Sequence, residues 1–224
     1  GSFRIPDIIK SSGCKMIEVG TTNKTKLSDY EDAIDEKTAA ILYVHTSNYK
    51  VVGFTEFVDF KKLADLCKDK GIYLLFDLGS GAIYDSESKK IPFERKVREY
   101  VKLGADIVTY SGDKLLGGIQ SGIISGKKDL VGKIYKNPIY RTMRCDKYRI
   151  ALMEKILRSY NSSKVINDNN LSINLFLRSR GELLALAKKI VEKINNRIKK
   201  IYNIEISNSL VEAGSGSLPT EKIE

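Results

Sequence analysis

Three polar clusters each follow an apolar run in this chain: HTSN after AAILYV, DLGSG after IYLLF, and YSGDK after ADIVT. If the runs are strands of a parallel sheet, the clusters fall at its carboxyl edge, where ligands of such sheets gather. His45, Asp77 and Lys114 would then share one edge. Asp77 sits behind apolar neighbours, and a carboxylate taken out of water needs a cationic or hydrogen-bonding partner. A buried lysine beside an aspartate from the next strand suggests pyridoxal phosphate. That cofactor needs an amine for its Schiff base and an acid for its ring nitrogen. The acid keeps the nitrogen protonated, and burial lowers a lysine's pKa towards the neutral form that attacks an aldehyde. Spacing alone favours a blander reading, in which Lys114 is a solvated lysine on a turn.

The elements that would hold these residues alternate along the chain. RIPDIIKSSG reads as a helix, CKMIEVG (Cys14–Gly20) as a strand, and LSDYEDAID as a helix capped by Ser28. AAILYVH (Ala39–His45) is a second strand with β-branched and aromatic content. In FVDFKKLADLCKDKG, residues Phe57, Phe60, Leu63, Ala64 and Cys67 recur at helical spacing, with Gly71 as the stop. IYLLFDLGS is a third strand, read as buried on both faces. FERKVREYVKLG predicts a helix ending at Gly104, and ADIVTYSGD a fourth strand. QSGIISGK follows too closely for a crossover helix, so it predicts an antiparallel fifth strand. The β–helix–β rhythm implies an α/β fold whose mostly parallel sheet is sandwiched by helices.

Beyond Lys127 the pattern turns helical: DLVGKIYKN, CDKYRIALMEKILRSYN and a long RGELLALAKKIVEKINNRIKKIY. NSSKVINDNN (Asn161–Asn170) is the best loop, and NIEISNS reads as the first strand of a smaller α+β unit. The expected division is residues 1–160 as a large catalytic domain and 161–224 as a connecting helix with the start of a small C-terminal domain. Both ends look truncated, and there is no internal repeat.

The 224 residues carry a formal charge of +10 with 42% hydrophobic and 29% charged residues, the profile of an ordinary globular protein. The positive field suits a polyanion partner, although lysines solvating helix faces would produce the same count. Cys14, Cys67 and Cys145 are scattered without CxxC spacing, which indicates neither a disulfide framework nor a metal site. No apolar run approaches a membrane span and no signal peptide opens the chain, so a reducing cytoplasm is the expected compartment.

YSGDKLLGG.Q.GII.G resembles the lysine segment of bacterial selenocysteine synthases, the L-seryl-tRNA selenium transferases, which are fold-type I pyridoxal-phosphate enzymes. SFRIPDI, EVGTTNKT, VHTSNYKVVGFT, DLGSG and GSGSLP resemble further segments of that family in the same order, across essentially the whole chain. Ile119 departs from the family pattern, which has proline after LLGG. The resemblance implies the aspartate-aminotransferase-like large domain and a chain that lacks the N-terminal region and most of the C-terminal domain. It implies Lys114 as the Schiff-base residue and proton-transfer base, and Asp77 as the partner of the pyridine nitrogen. It implies an activity-linked role for Asp113 and a phosphate-binding hydroxyl at Ser111. His45 would stack on the cofactor ring or merely cap a strand, and Ser47 and Asn48 are candidates for its phenolic oxygen. In YRTMRCDK, Arg141 and Arg144 are three apart, so one helical turn would aim both at the same anion. In the family such a pair is proposed to hold selenophosphate. The implied reaction converts seryl-tRNA(Sec) to selenocysteinyl-tRNA(Sec) through a dehydroalanyl intermediate, in a ring-like homo-oligomer built of dimers. The alternatives are a pyridoxal-phosphate lyase of a small amino acid or sugar acid that needs no tRNA, and a catalytically inactive fragment.

Overall fold

Short runs rich in β-branched and aromatic residues pair into a sheet here, and segments with apolar residues at helical spacing coil against water. The computed structural model describes residues 4–46, 51–83, 95–162, 169–209, 211–213 and 218–223. Four strands form one sheet in the order β1 (Ala40–Val44), β2 (Tyr73–Gly79), β3 (Ile107–Ser111) and β4 (Gly122–Gly126). β2 and β3 run parallel, with Asp77 opposite Thr109, and β4 returns antiparallel to β3 with Ser111 opposite Gly122. At the β1–β2 seam, Tyr73 N–H donates to Ala39 O (3.2 Å) and His45 N–H to Asp77 O (2.9 Å), so these strands also run the same way. This mostly parallel α/β sheet is the class that the alternating pattern implied.

The chain condenses into two compact units, residues 1–41 with 51–74, and residues 42–50 with 75–224. The first holds α1 (Ile5–Ser11), α2 (Leu27–Ala33) and α3 (Phe60–Lys70). Asp59 caps α3 by accepting the Lys62 N–H at 3.0 Å, and Gly71 ends it in the left-handed conformation (φ 68°) that glycine adopts without a steric penalty. Phe60, Leu63, Ala64, Leu66 and Cys67 are buried, whereas Phe57 precedes the helix and is exposed. In the same unit Asn23 grips the loop before α3: its main chain accepts the Glu56 N–H and its side chain donates to Phe54 O, 2.9 and 3.0 Å.

In the second unit α4 (Val97–Leu103) packs on β3, and α5 (Lys128–Lys136) on β4. Buried Asp106, just before β3, meets Lys127, just after β4: the amine lies 2.5 Å from the carboxylate and the Lys127 N–H donates to Asp106 O. Phe76 is 1% exposed, and its ring touches Tyr43, His45 and Tyr100 at centroid distances of 5.7, 6.4 and 4.2 Å. Among the described residues the remaining helices are α6 (Pro138–Met143), α7 (Lys147–Ser159), α8 (Leu171–Leu177), α9 (Arg180–Lys193) and α10 (Asn196–Ile201), followed by a hairpin of β5 (Val211–Ala213) and β6 (Leu218–Ile223).

Five expectations need correction. Cys14–Gly20 forms no strand, because among the described residues it has no ladder partner. α2 is capped at Lys26 rather than Ser28, with the Asp29 carboxylate accepting the Lys26 N–H at 2.8 Å. β2 is buried on alternate residues only: Leu74, Phe76 and Leu78 are enclosed while Leu75 and Asp77 are half-buried. The long C-terminal helix breaks at Ile194, where extended backbone lets Asn195 cap a new helix through the Arg197 N–H. Asn203–Asn208 is irregular, and the small sheet begins at Val211.

Truncating a buried phenylalanine in close packing costs about 3–5 kcal/mol. Phe76→Ala is expected to lose stability of that order, read as a lower denaturant midpoint with little change in slope.

Candidate active site

The carboxyl end of β2 carries the carboxylate. Asp77 lies directly opposite Thr109, and the Thr109 hydroxyl donates to its Oδ1 at 3.0 Å. Immediately afterwards the register slips, so that Gly79 faces Tyr110, an irregularity of the bulge kind that re-aims side chains next to functional sites. The backbones then close up: a Cβ on Gly81 would lie 2.5 Å from Ser111 O and 3.1 Å from the Tyr110 ring. Only glycine allows the segment after β2 to lie this close to the end of β3.

Lys114 sits on a turn beyond β3 and is half-buried, while Asp113 is exposed. The turn is held from several sides. Gly117 N–H donates to Lys114 O (2.9 Å), Gly118 N–H to Gly112 O (2.7 Å), and Gly112 N–H to Ser121 O (2.9 Å). Leu115 N–H donates to Ser80 O at 3.1 Å, which ties the residue after the lysine to the strand end that bears Asp77. Below the turn, Leu116 O accepts the Tyr160 hydroxyl at 2.5 Å and the Asn170 amide at 3.0 Å. Ser111, the last residue of β3, is half-buried at the start of this loop.

His45 follows β1 and is bonded through its backbone to Asp77 O. Burial pushes its imidazole below the usual range, and the negative charge of Asp77 offsets this in part. The same burial raises the phenols of Tyr43 and Tyr110; for Tyr110 a bond with Ser125 (2.9 Å) opposes the shift.

Asp77, His45, Thr109 and the Lys114 turn therefore converge at neighbouring strand ends. Ser47 and Asn48 lie outside the described residues. The arginines differ from expectation. Arg141 is in the last turn of α6, but Arg144 is the extended residue that ends the helix (φ −64°, ψ 141°), so the two do not share a helical turn. Both are exposed, and among the described residues neither guanidinium has an ion-pair partner. Among the described residues no cluster of histidine, cysteine and acidic side chains could hold a metal. Sequence reasoning missed Thr109, Tyr160 and Asn170. The Thr109 signal was available, since aligning YLLFD with DIVT puts it across from Asp77; Asn170 was read as the end of a loop and is fully buried.

The general class is an α/β sheet with a carboxylate at the end of one strand and a lysine-bearing turn after the next. Its fold is shared with the solved structure of a D-glucosaminate-6-phosphate ammonia-lyase: TM-score 0.57 and 27% identity, over 69% of this chain and 38% of that one. The match to the family SelA, L-seryl-tRNA selenium transferase, covers residues 1–224, and the chain belongs to that family. The L-seryl-tRNA(Sec) selenium transferase of Mannheimia succiniciproducens is 44% identical over 223 residues, covering 100% of this chain and 48% of the relative. That of Desulfotalea psychrophila is 42% identical over 219 residues, covering 98% and 47%. The chain thus spans about half the length of the curated relatives it matches.

His45 gives a pH prediction. With its folded pKa below the unfolded value near 6.5, the unfolded chain takes up the proton first on acidification. His45 therefore contributes stability above about pH 6.5 that is lost as the pH falls through and below that value. Denaturant midpoints at pH 7.5 and 5.5 (~1 unit either side of 6.5) are expected to differ less in His45→Gln than in the parent.

Proposed function

We propose that the protein transfers selenium to serine esterified to tRNA(Sec), with selenophosphate as donor and pyridoxal phosphate as cofactor. The observation that carries this reading is the convergence of Asp77 and the Lys114 turn at adjacent strand ends in a chain that matches the family from end to end. The residues present suit the cofactor: a carboxylate held by a hydroxyl, a half-buried lysine, a half-buried serine, and a close backbone approach at Gly81. When bound, pyridoxal phosphate would supply an electron sink for the carbon that bears the substrate amine.

The chain's residues then have definite tasks. Asp77 would keep a proton on the ring nitrogen, and the Thr109 hydroxyl fixes the carboxylate for it. Lys114 Nζ would bind the cofactor's aldehyde carbon, yield it to the serine amine, and then take and return the α-proton. Ser111 would bond the cofactor phosphate, His45 would lie by the ring, and Ser47 and Asn48 would serve its phenolic oxygen. Asp113, exposed beside Lys114, would contribute to activity. Arg141 and Arg144, exposed and free of carboxylate partners among the described residues, would bind the donor phosphate as charge-assisted forks. The +10 charge suits a tRNA partner. The reading includes a cytoplasmic homo-oligomeric ring, and a large catalytic domain over 1–160 joined to the start of a smaller one. No helix among the described residues is long and apolar enough to cross a membrane.

A second reading, a lyase that needs no tRNA, draws on the ammonia-lyase likeness. Filter binding separates the two: no affinity of the full-length protein for serine-charged tRNA(Sec) would sink the transferase.

Two outcomes test the chemistry. Full-length protein mixed with pyridoxal phosphate is expected to develop a visible absorbance band that is absent in Lys114→Ala; equal bands in both would refute the role of Lys114. Arg141→Ala and Arg144→Ala are each expected to raise the KM for selenophosphate about tenfold or more, as loss of a charge-assisted hydrogen bond predicts. Tightening of tRNA(Sec) binding is not expected in either.

A further inference from the structure

The main chain around Lys114 is fixed by side chains from outside its own loop. Leu116 and Asn170 are both fully buried, and the Leu116 carbonyl receives two donors, Tyr160 Oη at 2.5 Å and Asn170 Nδ2 at 3.0 Å. A buried carbonyl needs one partner; two from different elements over-determine where it lies. Tyr160 comes from the end of α7 and Asn170 from the start of α8. The amide of Asn170 is itself fixed. Its Oδ1 accepts the Ile173 N–H at 3.1 Å as the cap of α8, and its Nδ2 also reaches Tyr160 Oη at 3.4 Å.

The turn is shaped to this contact. Gly117 closes the turn on Lys114 O with φ 67°, and a Cβ there would overlap Asn170 Oδ1. On the other flank Leu115 N–H is bonded to Ser80 O. Lys114 is thus followed by an amide tied to the Asp77 strand and then by a carbonyl tied to α7 and α8. A lysine stem has four rotatable carbons, so the position of its amine is only as definite as the backbone that carries it.

We infer that Tyr160 and Asn170 are positioning residues for the Lys114 amine: by gripping the Leu116 carbonyl they set the direction in which Lys114 leaves the turn. This rests on the functional reading of Lys114 given above. It differs from a helix-capping role, which would involve Asn170 Oδ1 alone and would not involve Tyr160.

The test measures Lys114 itself in the full-length protein. Acetic anhydride labels free amines, and mass spectrometry gives the rate at Lys114 relative to exposed Lys188 in the same chain. Tyr160→Phe removes one oxygen and leaves the α8 cap intact. Asn170→Asp keeps an oxygen for the cap, where aspartate serves as well as asparagine, but loses the donor to Leu116. Both are expected to raise the Lys114/Lys188 labelling ratio about threefold or more, the response to losing one hydrogen bond, with cooperative melting retained. A ratio unchanged in Tyr160→Phe overturns the inference, whatever the Asn170 variants do, and that variant alone decides if Asn170→Asp fails to fold. The ratio is measured without cofactor. Failure of the parent protein to take up pyridoxal phosphate would therefore sink the functional reading, and the labelling comparison would still report on the clamp.

Discussion

In-register parallel pairing of β2 with β3 is the constraint on which the site depends. It puts Asp77 and Thr109 side by side, so that a half-buried carboxylate finds a hydroxyl without a dedicated loop. It also brings the two strand ends out together, so the segments that follow can be stitched by a single bond from Leu115 to Ser80. A slip of one residue would turn Thr109 to the opposite face and leave the carboxylate short of a donor. Val108, fully buried beside Thr109 on β3, resists that slip, since it would have to leave the core.

Around this seam the polypeptide gives up side chains for close approach. Gly81 passes against Ser111 O, and the notch between Gly112 and Gly118 accepts the Met153 thioether from α7, whose methyl carbon lies within 3.0 Å of either glycine's notional Cβ. The site is therefore a place where backbones meet, and its polar side chains project from a frame closed by backbone hydrogen bonds. Burial of His45 beside Phe76 disfavours its charged form, and the nearby Asp77 carboxylate offsets this in part.

Much of this was legible in the residues, and the failures have physical causes. β1 to β4 and α3 announced themselves by apolar runs, by Gly71 at the end of α3, and by the short link before β4. CKMIEVG has the composition of a strand, but composition cannot say whether a partner edge exists. The long C-terminal pattern hid a break because asparagine can either continue a helix or cap the next one, and local hydrogen bonding decides between them. At the site, Asp77 and Lys114 were visible as chemistry at strand ends. Arg144 was misplaced because three-residue spacing says nothing about where α6 ends. Asn170 was invisible because a polar run reads as solvent-facing, and only the folded chain turns one of its amides inward.

Gly117 and Asn170 fit each other by size, across a sequence separation comparable to the 54 residues between Leu116 and Asn170. A bulkier residue at either position would collide unless the other shrank. The constraint is one-sided: a smaller residue at Asn170 would clear the space, but the left-handed backbone at Gly117 would still favour glycine.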